Sequence, residues 1–141
     1  MKIKPEIVDY IRTFVRDEYD ENDRIERILD EQGWGDGFAS YLAAVFYFVI
    51  DRRFGGIWDQ GSVIQFVADM RAANSAAAGV DPSVAEAGIR AALDPAAGLD
   101  VPLEELTKMQ TFAIHRAVAE LDMTDSDLDD LLGKAERLAS R

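Results

Sequence analysis

Few residues of this chain could do chemistry, and most of those are carboxylates. Asp125, Asp127, Asp129 and Glu136 fall at positions one, three, five and twelve of a twelve-residue window. Those are places where an EF-hand loop puts calcium-binding oxygens. The sixth position of such a loop needs glycine for a sharp turn, and here it is Asp130. Five residues follow Glu136, too few for a full exit helix. The simpler reading is a capped helix whose first-turn acids oppose its dipole. No calcium, other metal or cofactor is expected.

His115 is the single histidine. A catalytic histidine needs a nucleophile or an orienting carboxylate beside it. Asp122 lies two helical turns further on, and no serine elbow is present. No Glu-x-x-His pair exists, which removes the di-iron carboxylate site of helical bundles. His115 therefore reads as a surface residue at the polar border of its helix, near Lys108, Thr111 and Asp122. The chain has no cysteine, which excludes thiolate catalysis, zinc knuckles, iron–sulfur clusters and disulfides. Dinucleotide, Walker A and zinc-protease motifs are also missing.

What remains are candidates for binding. The stretch Asp17–Glu31 holds eight acids and two arginines, and Asp17, Glu18, Asp20, Glu21 and Asp23 open it. The bland reading is a solvated face, with Asp23–Arg27 and Arg27–Glu31 as i,i+4 pairs worth roughly tenths of a kcal/mol. The sharper one is a docking surface for a basic partner, with fast and salt-sensitive association. Immunity proteins and nucleic-acid mimics use that logic, although the chain resembles no particular family of either. Trp34 and Trp58 sit in glycine-flanked loops at the two ends of one helix, about 24 Å apart. They read as plugs closing the ends of the core in preference to binding anchors. Tyr41, Tyr47 and Ser40 are the polar handles that a ligand or enzymatic pocket between helices would use. Buried hydroxyls bonded to backbone carbonyls are the plainer outcome.

Charge narrows the partners. Acids outnumber bases 27 to 15, for a formal net charge of −12. That field repels phosphate backbones and acidic membrane surfaces, so neither nucleic acid nor membrane is expected as a partner. The absence of cysteine suits a reducing cytosol, and the N-terminal MKIKPEIVDYIRTF has no continuous apolar run of a secretion signal. A cytoplasmic protein is expected.

The elements that must position these residues are all helical. At 141 residues, one domain spanning 1–141 is expected. Its organising segment is Phe38–Ile50, where only Ser40 is plainly polar, so no face of it should meet water. Asp36 is the expected N-cap, and Arg52, Arg53 and Gly55-Gly56 should close this helix. Before it, Ile7, Val8, Ile11, Phe14 and Val15 predict a helix after Pro5, with Asp9, Arg12, Thr13 and Arg16 on the polar side and fraying by Asp20. A short helix follows from Glu21 or Asn22 to Gln32, with Gly33 as a left-handed cap. Beyond it, Ser62 and Gln65 read as a capping box for a helix to about Ala77, and Asp81-Pro82 opens another that ends at Asp94-Pro95. Leu103, Leu106, Ala113, Ile114, Ala117, Val118 and Leu121 line a long helix to about Asp122. Leu128, Leu131, Leu132, Ala135 and Leu138 line a last one capped by Thr124. No alternating β-branched run exists. The expected fold is all-α, a compact irregular bundle of six or seven helices around a central apolar helix at about 38–53. The expected function is a non-enzymatic protein-interaction module, self-associating as a homodimer or binding another protein. An acidic inhibitor or mimic that neutralises a basic protein partner is the alternative, and a small-ligand or enzymatic pocket between helices is the second.

Overall fold

Pro5 opens the first helix of the computed structural model, which describes residues 2–141. Proline costs nothing there, because the first-turn N–H has no intrahelical partner. This helix, α1 (Pro5–Val15), buries Ile7, Ile11 and Val15. It also buries Thr13, which was expected on the polar side. Its hydroxyl donates to the carbonyls of Asp9 and Tyr10, so burial leaves no polar group unmade. The helix stops at Val15, short of Asp20, because Asp17 turns the chain with φ +56°.

Helix α2 (Tyr19–Gln32) starts earlier than expected, and Tyr19 is 71% exposed on its first turn. Asn22 does not begin the helix but ties it to α1. Its Nδ2 donates to the Tyr10 carbonyl at 2.8 Å and to the Thr13 hydroxyl at 3.1 Å. Gly33 takes φ +87° and ψ 139°, a positive φ suited to glycine but outside the left-handed helical well. The chain therefore leaves α2 extended, without the expected cap.

Helix α3 (Gly37–Phe54) carries the apolar segment. Tyr41, Leu42, Val45, Phe46, Val49, Ile50 and Phe54 are buried. Ala39, Ser40, Ala43, Tyr47 and Asp51 are exposed, spaced to share one face. The expectation that no face meets water is thus corrected. Small side chains cost little in water, and Tyr47 offers a hydroxyl. Arg52 and Arg53 lie in the last turn, and Gly55 closes it by donating to Asp51 O at 2.8 Å.

Helix α4 (Gln60–Ala73) has its capping box one turn before the expected one. Asp59 is the N-cap and accepts from Ser62 N at 2.7 Å, and Ser62 reaches back to Asp59 N. Gln65 instead donates to Asp69. The helix stops at Ala73, and a 3₁₀ segment, Ser75–Gly79, follows under an Asn74 cap. Helix α5 (Pro82–Leu93) starts as expected, with Asp81 accepting from Ser83 N at 2.8 Å. Helix α6 (Leu103–Leu121) buries Met109, Ala113, Ile114, Ala117 and Val118. Leu103 is 67% exposed, contrary to its expected inward place. Helical side chains lean toward the N-terminus, so the first residue projects past the packed face. Helix α7 (Asp125–Ala139) is capped by Thr124 and buries Leu128, Leu131, Leu132 and Ala135, whereas Leu138 is 39% exposed.

Among the described residues there are seven α-helices and one 3₁₀ helix, with no strand, so the architecture is all-α. The described residues form two compact units, 2–45 with Asp122–Arg141, and Phe46–Leu121. In the first, α1 packs on α2 and α7 around Ile7, Ile11, Leu29, Leu42 and Leu128. In the second, α4 packs on α5 and α6 around Phe66, Met70, Ile89 and Ile114. No helix of the described residues is long and apolar enough to cross a membrane.

Candidate functional site

Helix α2 presents charge because its apolar stripe is narrow. Ile25 and Leu29 are its buried residues, which holds the rest of the helix toward solvent. Asp17, Glu18, Asp20, Glu21 and Asp23 are all exposed. Arg24 donates through Nε to Glu21 at 3.0 Å and through its second nitrogen to the other oxygen. The Arg24 hydrogen bond holds the Glu21 carboxyl below its usual range. With eight acids and two arginines, Asp17–Glu31 carries −6, half of the chain's net charge of −12.

Two nearby arginines, Arg12 of α1 and Arg16 just past its end, do not offset this charge, because each is paired with an acid of α7. Arg12 donates to Asp9 at 2.5 Å and to Asp129 at 2.9 Å. Arg16 pairs with Asp125 at 3.1 Å and donates to the Met123 carbonyl at 2.7 Å. The calcium-like series Asp125–Glu136 is thus a continuous helix, with Asp125 and Asp129 ion-paired to arginines. Among the described residues no three His, Cys, Asp or Glu side chains are grouped to hold a metal ion.

Trp34 joins the acidic helix to an aromatic cluster. Its indole N–H donates to Asp30 at 2.8 Å. Its ring centre lies 5.0 Å from that of Tyr10 and 4.9 Å from that of Phe38, both edge to face. Tyr10 and Phe38 are 6.3 Å apart, and all three rings are half-buried. Burial raises the pKa of the Tyr10 hydroxyl, and the negative charges of Glu26, Asp30 and Asp23 raise it further. Lys4 donates to Gly33 O at 2.6 Å, pinning the loop that carries Trp34.

The other candidates fall elsewhere. Tyr41 is fully buried in the first unit and donates to the Leu132 carbonyl at 3.3 Å, so its hydroxyl is already used. Burial pushes its pKa well above the ordinary tyrosine range. Ser40 is exposed. Tyr47 and Trp58 belong to the second unit. Tyr47 is 44% exposed with its ring tilted against Phe48, and Trp58 is half-buried beside Ile57, which is 91% exposed. His115 is half-buried on α6.

The structure therefore gathers Trp34 with the acidic stretch and assigns Tyr47 and Trp58 to a different unit. Reasoning from sequence missed Tyr10, Glu26, Asp30 and Phe38 as members of this cluster. One signal was available: Asp23, Glu26 and Asp30 recur at i, i+3 and i+7, a single face of α2, and Trp34 follows Asp30 by four residues. Comparison with family models, curated proteins and solved structures gave no match.

Proposed function

We propose that this chain is a non-enzymatic protein-interaction module that docks a basic protein through α2 and the turn before it. The observation that carries the reading is the −6 balance of Asp17–Glu31, the exposed helix α2 with the turn before it, whose neighbouring arginines, Arg12 and Arg16, pair with acids of α7. Such a surface steers a positively charged partner from a distance and rejects anionic ones. An inhibitor or mimic that neutralises a basic protein is the specific form this takes. A cytoplasmic location is part of the same proposal and rests on a sequence without oxidisable thiols.

The test compares affinity capture from the native cell by wild type and by a combined variant, Asp17→Asn, Glu18→Gln, Asp20→Asn and Asp23→Asn. Basic proteins held by the wild type, released by salt and lost from the variant support the proposal. An identical set held by both forms overturns it.

Self-association is the second reading, supported by the exposed aliphatics Ile57, Ile64, Leu99 and Leu103 of the second unit. A homodimer built on them resists salt, because apolar contact is not screened. Sedimentation of wild type and an Ile57→Ser, Leu103→Ser variant separates the two readings.

A further inference from the structure

We propose that Tyr10, Trp34 and Phe38, with the carboxylates of Asp23, Glu26 and Asp30, form the anchor for an arginine side chain of a basic protein segment. The inference rests on the acidic docking surface above and names the place where a partner is held.

Three observations converge on this spot. Asp23, Glu26 and Asp30 share one face of α2 and lie close enough to Tyr10 for their charges to act on its hydroxyl. Among the described residues neither Asp23 nor Glu26 makes an ion pair, and Trp34 engages one oxygen of Asp30. The three aromatic residues are half-buried, so part of each is open to solvent, and Trp34 meets Asp30 directly. With centres 4.9–6.3 Å apart they pack edge to face and leave no room for a cation between them. A cation must lie on their outer surface, where Asp30 already meets the edge of Trp34.

Arginine fits this better than lysine. Its planar guanidinium stacks on a ring and forks to carboxylate oxygens at once, whereas an ammonium is a compact, strongly hydrated point charge. The second unit shows that chemistry within the chain. Arg53 stands 5.0 Å from the centre of Phe54 and 5.6 Å from that of Phe66, and its Nε donates to Glu120 at 2.6 Å. Phe54 and Phe66 are themselves edge to face at 5.6 Å. The first unit offers rings and carboxylates of the same kind at its surface, and the partner supplies the guanidinium. An apolar partner is disfavoured, because covering the rings would also strip water from unpaired carboxylates.

The test uses the full chain carrying Trp58→Phe, which leaves Trp34 as the only tryptophan. Titration with octa-arginine is followed by Trp34 emission and, in parallel, by calorimetry; octa-lysine and octa-glutamate are the comparisons. Octa-arginine should shift the emission saturably, octa-lysine should bind more weakly, and octa-glutamate should not bind. Tyr10→Leu should weaken octa-arginine binding about fivefold, whereas Tyr10→Phe keeps the ring and the affinity. If Tyr10→Leu does not fold, the Trp34 indole N–H resonance reads the same contact in the unsubstituted site. Calorimetric binding with unmoved Trp34 signals overturns the anchor and leaves the acidic docking surface standing. Equal responses to octa-arginine and octa-lysine overturn the preference for arginine. No calorimetric binding of either cationic peptide overturns both the anchor and the docking surface.

Discussion

The hydroxyl of Tyr41 donates to the carbonyl of Leu132 at 3.3 Å, tying α3 to α7 across 91 residues of sequence. A residue that could have lined a ligand pocket is instead a closed internal contact. The bond is long for a hydroxyl donor, so Tyr41→Phe should cost only about 0.5–1 kcal/mol in denaturant unfolding.

The same burial predicts alkaline sensitivity. Desolvation, and more weakly Glu136, raises the Tyr41 pKa, and Tyr10 is raised as well. In the unfolded chain tyrosine ionises near pH 10, whereas the native form keeps its proton to higher pH. Below about pH 10 the contribution to stability is fully present, and it is lost as pH rises through the native value. The free energy of unfolding should fall with a slope of up to about 1.4 kcal/mol per pH unit per group. Tyr41→Phe should flatten that slope, and an equally steep loss in the variant would refute the assignment.

Capping gives a test between two neighbouring pairs. Asp59 and Ser62 satisfy each other at the start of α4, so Asp59→Ala should cost about 1 kcal/mol. Gln65 makes only an exposed i,i+4 bond to Asp69, so Gln65→Ala should cost no more than about 0.5 kcal/mol. Thermal unfolding of the two variants measures the difference directly.

Gly88 and Met109 meet where α5 and α6 pack. A Cβ at Gly88 would fall 2.9 Å from the Met109 Sδ and 3.2 Å from its Cε. Alanine gains about 1 kcal/mol of helix propensity and displaces only the end of a flexible thioether. Gly88→Ala should therefore stay within about 1 kcal/mol of wild type. Gly88→Val should lose about 2–3 kcal/mol, because Met109 is fully buried and a branched side chain overpacks the contact. A tolerated valine in urea titration would mean that the two helices can separate.

Arg53 tests whether guanidinium geometry matters. Arg53→Lys keeps the charge near Glu120 but loses the planar contact with Phe54 and Phe66. The expected loss is about 0.5–1 kcal/mol, small because the side chain remains partly solvated. Arg116→Lys, which alters the other pair to Glu120, should be nearly neutral.

Seven helices were legible in the chain because their causes lie within a turn or two of each other. Asp81-Pro82, Thr124 and Gly55 act on backbone groups two to four residues away, so their caps can be read from spacing alone. The misplacement at Ser62 is instructive. It is a good N-cap residue by type, but Asp59 stands three positions earlier and uses it as a partner. The acidic helix was equally visible, since charge density is a property of composition. The aromatic cluster was not, because Tyr10, Trp34 and Phe38 come from α1, a loop and α3 and meet only on folding.

What the sequence determined by itself is helix type, most helix starts and stops, and the sign of the surface. All of these follow from hydrogen bonds, side-chain periods and charges that act locally. Only the tertiary structure decided which face of α3 meets water, that Thr13 goes inside, and that Tyr41 is sealed while Tyr47 is open. Those outcomes depend on partners such as Asn22 for Thr13 and Leu132 for Tyr41. Burial is set by what packs against a residue, and no spacing along the chain carries that information.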